Sequence, residues 1–164
     1  MSEKRVDPAS LPYRSSVGVV LFNGSGKAFI GKRIDQELEG WQMPQGGIDA
    51  SEGPRAAALR ELEEEIGTRN VSILREHKEW LIYDLPPHLI GRAWEGRYRG
   101  QRQKWFAMRF LGSDSEINLK TAHPEFSDWK WVDLGEALNL VVAFKRDVYQ
   151  QVVAAFADLA KGNK

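Results

Sequence analysis

The sequence contains no cysteine, so it can form no disulfide framework and offers no thiolate ligand to a metal. It also lacks a long apolar run, and its apolar stretches are far too short to cross a bilayer. The charged residues Met1 to Arg5 are not followed by an apolar segment, which argues against a signal peptide. We therefore expect a cytoplasmic protein with no membrane partner.

A net charge is lacking as well, since 23 Lys and Arg balance 23 Asp and Glu, but the charges are unevenly placed. Residues 46–67 hold six acids against two arginines, whereas residues 91–104 hold five basic residues against one acid. Two such segments could simply be solvated surface. In one small domain they also suit a polyanion that is held between cations.

Length and composition fit one domain. The 164 residues suffice for a sizeable core, and 42% hydrophobic with 28% charged residues is ordinary for a globular protein. Residues 1–12 are polar and are predicted to form a flexible segment, which leaves a single domain over residues 13–160.

The hydrophobic pattern predicts strands and helices in irregular alternation. This order favours an α/β fold with a mixed sheet between helices. The predicted strands are Val17–Phe22, Ala28–Lys32, Trp41–Pro44, a long or broken strand over Val71–Tyr83, Gln103–Leu111 and Asp128–Val132. The predicted helices are Pro54–Ile66, Leu134–Leu138 and Lys145–Leu159, and the predicted loops include a charged one at 34–40 and a long one at 85–100.

The segment from Gly46 to Thr68 is the most informative. On the predicted helix, Glu61, Glu64 and Glu65 share one side, while leucine and isoleucine side chains recur on the opposite side. Acidic helix faces are usually only solvated, but Pro54 and Gly67 delimit this helix and two glycines precede it. Hard divalent cations prefer carboxylate oxygens, so the segment is a plausible cation holder for phosphate chemistry.

The spacing of this segment resembles the box of the Nudix family. That pattern is Gly, five residues, Glu, seven residues, then Arg-Glu-aliphatic-any-Glu-Glu-any-Gly-aliphatic. Here the fixed positions are Gly46, Glu52, Arg60, Glu61, Leu62, Glu64, Glu65, Gly67 and Thr68. Only Thr68, which is β-branched but polar, departs from the pattern, and it leaves the carboxylates intact.

Other segments resemble one Nudix subgroup, the bacterial RNA pyrophosphohydrolases and dinucleoside polyphosphate hydrolases. The likeness covers about residues 12–160. The segments that carry it are 13–18, 41–47, 100–106, 124–126 and 141–149.

This resemblance implies an α/β/α sandwich with a mixed sheet and a loop–helix–loop box at its edge. It also implies that the metal ligands are the Gly46 carbonyl and the carboxylates of Glu61, Glu64 and Glu65. Glu125 is expected to be a further ligand or the general base, and Arg60 is expected to orient the glutamates.

The resemblance further implies a substrate site. Lysine and glutamine side chains at Lys104, Gln101 and Gln103 are expected to contact phosphate. Phe144 and Arg33 are expected to pinch an unpaired base, although a phenylalanine there usually packs and an arginine there is usually solvated. The remaining candidates in this site are Arg14, Tyr83, Val142 and Lys145.

The predicted function is a pyrophosphohydrolase that acts on the 5′-triphosphate end of RNA and depends on Mg²⁺, with Mn²⁺ or Zn²⁺ as substitutes. A dinucleoside polyphosphate such as diadenosine tetraphosphate is the alternative substrate, and no DNA partner is expected. A housecleaning hydrolase for damaged nucleoside triphosphates is a third option. A catalytically silent module that binds nucleotides or RNA would be expected to lose box glutamates, and this chain keeps every one. The sequence leaves open the oligomeric state, the number of metals and any protein activator.

Overall fold

A computed structural model describes residues 7–34 and 40–161. It contains eight strands and three α-helices within those ranges. The strands are β1 (Tyr13–Phe22), β2 (Ala28–Arg33), β3 (Trp41–Gln42), β4 (Gln45–Gly47), β5 (Val71–Glu76), β6 (Leu81–Asp84), β7 (Gly100–Phe110) and β8 (Phe126–Val132). The helices are α1 (Pro54–Ile66), α2 (Ala137–Leu140) and α3 (Arg146–Phe156).

Several predicted boundaries need correction. The stretch predicted as a long or broken strand is broken into β5 and β6. The short strand predicted at Trp41–Pro44 ends at Gln42 as β3, and a further strand, β4, follows it. β1 and β7 begin earlier than predicted because their first residues pair with each other. Residues 143–145 form a 3-10 turn before α3.

Two predicted segments lie partly outside the described residues. Of the predicted flexible segment at 1–12, residues 1–6 are not described, and Pro8–Ser10 forms a short 3-10 turn that the Asp7 side chain caps. Of the predicted charged loop at 34–40, residues 35–39 are not described. Along the described residues, no helix is long and apolar enough to span a membrane.

The eight strands form one mixed sheet. Its main path runs β3-β2-β1-β7-β5, and β4, β6 and β8 pair with β1, β7 and β2 respectively. β1 and β7 are parallel from Tyr13 opposite Gly100 to Phe22 opposite Arg109, and the remaining pairings are antiparallel. The expected mixed sheet of an α/β fold is confirmed.

A hydrophobic core lies on each face of the sheet. Alternate side chains of β1 point to opposite faces, so Val17 and Val19 pack with Leu62 of α1. Val20 and Phe22 face the other way, toward the side of α2 and α3. The sheet is therefore sandwiched between helices, as the sequence pattern indicated.

α1 has the bounds that the sequence predicts. Proline occupies its first turn, and Gly67 ends it with a φ of 80°, in the left-handed region that favours glycine. The Gly67 N–H donates to the Glu63 carbonyl. Its buried face fixes how the helix lies on the sheet, and hence where its acidic residues point.

Leu62 should anchor this packing. It is completely buried, so we expect Leu62→Ala to lower the free energy of unfolding by about 2–5 kcal/mol, through lost burial and the cavity that remains. Leu111 is 59% exposed and supplies the control. Leu111→Ala should change the free energy of unfolding by less than about 0.5 kcal/mol. Denaturant unfolding measures both, and equal effects would contradict this account of the core.

Candidate active site

A cavity of about 360 Å³ opens where α1, β4, β6, β7 and the start of α3 meet. It gathers most of the site residues expected from the sequence. Its lining consists of Arg14, Arg33, Gln42, Gln45, Gly46, Gly47, Glu61, Glu64, Glu65, Tyr83, Leu85, Leu89, Ala93, Trp94, Gln101, Glu125, Phe144 and Lys145.

One wall of the cavity is acidic. Glu65 is only 2% exposed, and its Oε2 accepts a 3.2 Å hydrogen bond from the Gln45 N–H. Burial, and then the charges of Glu61 and Glu125, raise the pKa of Glu65 well above its ordinary value. Burial also raises the pKa of Glu61. The wall therefore concentrates carboxylates whose charge is costly without a cation.

Gly46 brings the backbone close to this wall. It lies in β4 opposite Val17 of β1, directly against α1. A Cβ atom at Gly46 would overlap the Glu61 carboxylate. Glycine thus lets the backbone lie against this carboxylate, which a larger residue would displace.

Arg60 lies behind the acidic wall and does not line the cavity. It donates two 2.8 Å hydrogen bonds to Glu52 and one of 2.8 Å to the Gly47 carbonyl. Its Nη1 also donates to Glu61 at 2.9 Å and to Glu64 at 3.2 Å. The hydrogen bond from Arg60 lowers the pKa of the Glu52 carboxyl, so this carboxylate is held in its charged form.

The donors at this wall have the right chemistry for a hard divalent cation, because they are carboxylates beside a backbone carbonyl. In the described residues, these donors are not grouped around one point as they would be in a metal centre. Across residues 7–34 and 40–161, no group of three or more acidic or histidine side chains is arranged to hold a metal ion. Glu61 and Glu64 instead bond Arg60.

A second part of the lining, which we call the cationic wall, is cationic and aromatic. Lys145 Nζ and Arg33 Nη1 each donate a 2.9 Å hydrogen bond to the same oxygen, Oε1 of Gln42. Burial, and then the charge of Arg33, lower the pKa of Lys145 to about 7. The Phe144 ring lies 5.7 Å from that of Tyr83. Burial raises the pKa of Tyr83 to about 12, so this phenol stays protonated at neutral pH.

Residues at the cavity mouth join the two walls. Arg14 Nη1 donates to Gln101 Oε1 at 3.2 Å, and the guanidinium lies 5.5 Å from the centre of the Trp94 ring. The side-chain amide of Gln101 in turn donates to the Tyr83 hydroxyl. Trp94 belongs to the segment between β6 and β7, which the sequence predicts as a long loop over residues 85–100.

Besides Arg60, three expected site residues do not line the cavity. Gln103 is buried beneath it, where its Oε1 accepts from the Trp105 indole. Lys104 is one residue further along β7 and so points to the opposite face of the sheet. Its Nζ donates to the Lys78 carbonyl at 2.6 Å and lies 3.6 Å from Glu76. Val142 packs against the core on the α3 side.

Several residues that line the cavity were not predicted from the sequence. Gln42 and Gln45 stand in the 41–47 segment that carried the family resemblance, but nothing in the sequence showed that Gln42 joins two cations. Trp94 could have been suspected, because it is an aromatic in a long loop within the basic segment. The remaining missed residues are Gly47, Leu85, Leu89 and Ala93.

The chain matches known proteins along most of its length. A family model described as NUDIX domain matches residues 12–152. The chain is 59% identical over 152 residues to an RNA pyrophosphohydrolase of Rhodospirillum rubrum, covering 93% of this chain and 92% of that protein. It is 55% identical over 154 residues to an RNA pyrophosphohydrolase of Dinoroseobacter shibae, covering 93% and 96%.

Solved structures support the same fold. The dihydroneopterin triphosphate pyrophosphohydrolase of E. coli superposes with a TM-score of 0.65 at 20% identity, covering 88% of this chain and 99% of that one. An Ap4A hydrolase of C. elegans gives a TM-score of 0.64 at 20% identity, covering 88% and 98%. At these identities the likeness shows the fold alone.

Lys145 should make stability depend on pH. Its pKa of about 7 in the folded state is lower than in the unfolded chain, so above pH 7 the unfolded chain binds the extra proton. Stability should therefore rise with pH between about 7 and 10, by at most about 1.4 kcal/mol per pH unit from this group. Lys145→Met should remove that part of the rise, which denaturant unfolding at pH 7.5 and pH 9 would measure.

Lys120 provides the control, because its side chain is exposed. Lys120→Met should keep the wild-type pH dependence. A Lys145→Met protein with the same slope as the wild type would show that Lys145 titrates normally.

Proposed function

The chain belongs to the NUDIX domain family, and from that premise we propose that it is an RNA pyrophosphohydrolase. It would cleave the 5′-triphosphate end of RNA and release pyrophosphate or successive phosphates. Relatives that are 51–59% identical over most of the chain carry this name. The observation that carries the proposal is the cavity itself, which is lined by both the acidic wall and the cationic wall.

The two walls suit the two parts of such a substrate. A phosphate chain needs cations, which the acidic wall can recruit and which Arg33, Lys145 and Arg14 already provide. A base needs a planar surface, and Phe144 lies beside these cations. A nucleotide with several phosphates combines both requirements in one ligand.

Nudix hydrolases are generally dependent on a divalent metal, and we propose Mg²⁺, with Mn²⁺ or Zn²⁺ as substitutes. The Gly46 carbonyl with Glu61, Glu64, Glu65 and Glu125 would hold it. Bound there, the metal would offset phosphate charge and lower the pKa of a water that attacks phosphorus.

The remaining roles fall to side chains that the structure describes. Arg60 would orient Glu61 and Glu64, since it bonds both and is fixed in turn by Glu52. Glu125 is proposed either as a ligand or as the base that accepts a proton from the attacking water. Glu64 and Glu65 are the carboxylates on which we expect catalysis to depend most.

Residues of the cationic wall would position the substrate. Phe144 and Arg33 would hold a base between a ring and a guanidinium plane. Lys145, Arg14, Tyr83 and Gln101 line the same cavity and would contact phosphate or sugar. Gln103, Lys104 and Val142 lie outside the lining, so any influence on binding would be indirect.

A matched series of variants tests the acidic wall. Glu64→Gln and Glu65→Gln remove one ligand charge each, and we expect each to lower kcat by about 100-fold or more, the scale for one lost preorganised electrostatic group. Glu63 lies between Glu61 and Glu64 in sequence, but its carboxylate bonds Arg69 at 3.2 Å, away from the cavity. Steady-state hydrolysis should show near-normal rates for Glu63→Gln.

Thermal melting would accompany each rate measurement, because all three variants should fold. If Glu64→Gln and Glu65→Gln both kept wild-type rates while a chelator abolished activity, the metal would be held elsewhere. A large loss of kcat in Glu63→Gln would mean that the rate depends on the total negative charge of α1 and not on particular carboxylates.

Substrate choice is the direct test of the function. We expect triphosphorylated RNA to give the highest kcat/KM when it is compared with diadenosine tetraphosphate and free nucleoside triphosphates at equal Mg²⁺. The reason is that relatives 51–59% identical to this chain carry the name RNA pyrophosphohydrolase, whereas a phosphate chain and a base are common to all the substrates compared. Phosphate release and product analysis measure the comparison.

Each other ranking has a definite meaning. Preference for diadenosine tetraphosphate would replace RNA with the dinucleotide as substrate. Preference for free triphosphates would indicate a nucleotide housecleaning enzyme. Binding of RNA without hydrolysis of any substrate would show that the protein is a non-catalytic binding module, even though it retains the carboxylates of the box.

A further inference from the structure

Four arginines lie over aromatic rings on the surface beside the cavity. The distances from guanidinium carbon to ring centre are 3.8 Å for Arg102 over Trp80 and 4.8 Å for Arg99 over Tyr13. They are 5.5 Å for both Arg14 over Trp94 and Arg97 over Tyr98. We call these four pairs the arginine–aromatic row.

Strand register places part of the row on one face of the sheet. Ser15 of β1 lies opposite Arg102 of β7, and Arg102 lies opposite Ile82 of β6. Arg102 Nη1 also donates to the Ser15 hydroxyl at 3.0 Å. These residues share the face on which α1 packs, but they precede the residues that α1 covers. Ile82 is 51% exposed, so this end of the face is open.

The row is continuous with the cavity. A second, shallower cavity of about 320 Å³ shares Arg14, Gly47 and Glu61 with the first. Its other lining residues include Tyr13, Ser15 and Tyr98, which are members of the row or lie beside it. A ligand that leaves the active-site cavity by this side therefore meets the row next.

The cations of the row are largely unneutralised. Arg99 pairs with Asp84 at 3.1 Å. By contrast, Arg14, Arg97 and Arg102 have no carboxylate within 4.0 Å in the part of the chain that the structure describes. Each of these guanidinium groups can therefore pair with an outside anion while a ring lies beside it.

We propose that the arginine–aromatic row binds the single-stranded RNA that follows the 5′ end, a proposal that rests on the function proposed above. Cations that each lie beside a ring match phosphates that each lie beside a base, because phosphate oxygens pair with guanidinium groups and every base has a face that can stack. An acidic protein segment would use the charges but not the rings. The complementarity therefore favours RNA.

Chain length separates this surface from the catalytic site. The test compares a 5′-triphosphorylated dinucleotide with an unstructured 12-nucleotide RNA of the same 5′ sequence. The variants are Arg102→Gln, which retains a donor for Ser15, and Trp80→Leu. Arg69→Gln is the control, since Arg69 precedes β5, whose Val71 pairs with Phe110 at the far end of β7.

We expect Arg102→Gln and Trp80→Leu each to raise KM for the 12-nucleotide RNA about five- to tenfold with little change in kcat. Their KM for the dinucleotide should stay within twofold of the wild type, and Arg69→Gln should match the wild type on both substrates. The slope of log affinity against log salt for the longer RNA should become shallower by about 0.7 in Arg102→Gln, the loss of one phosphate contact on a single strand.

Equal effects on both substrates would overturn the proposal, because Arg102 or Trp80 would then act through the cavity. Wild-type KM for the longer RNA in both folded variants would overturn it as well, while leaving the catalytic function intact. Failure of the wild type to hydrolyse either RNA would refute the proposed function and this inference together.

Discussion

The hydrogen bonds of one guanidinium hold the acidic wall together. Arg60 bonds Glu52 in the loop, the Gly47 carbonyl in β4, and Glu61 and Glu64 on its own helix. Gathering carboxylates in a partly buried place is unfavourable, because each loses hydration and repels the others. A fork of five N–H donors with a permanent charge offsets both costs, which a lysine with its point charge would do less well.

The cationic wall also gathers like charges in a partly buried place, where the cations lose hydration and repel each other. It is stabilised in a different way. Lys145 Nζ and Arg33 Nη1 each donate a hydrogen bond to one neutral oxygen, Gln42 Oε1, which accepts from both cations and brings no negative charge of its own. A carboxylate at that position would neutralise the pair and weaken its attraction for phosphate. The lowered pKa of Lys145 records the cost of keeping the charge available. Both walls are therefore poised for a ligand that carries compensating charge.

Local signals in the sequence were enough for α1 and its acidic face. Proline at the start and glycine at the end fix the helix bounds, and residue spacing fixes which side the glutamates share. Alternation within the predicted strand already implies that Gln103 and Lys104 point to opposite faces of the sheet. Which of these faces holds the cavity could not be found in this way, because it depends on how β7 pairs with residues far away in the chain. The place of Gln42 in the site was not predicted for a related reason. A polar residue in a two-residue strand gives no sign in the sequence that it is buried.

The zero net charge of the chain gives the surface charges a particular significance. A strongly basic protein would attract RNA everywhere, whereas here the attraction must be local. The acidic box would even repel an RNA chain that approached it from the wrong side. A row in which three of the four arginines have no carboxylate within 4.0 Å among the described residues would then give the polyanion one favourable approach, at one side of the cavity. Because each guanidinium already lies beside a ring, a phosphate bound there also brings its base within reach of a stacking surface. Charge and planarity in the same place thus favour a nucleic acid over other polyanions, which have phosphates but no bases to stack.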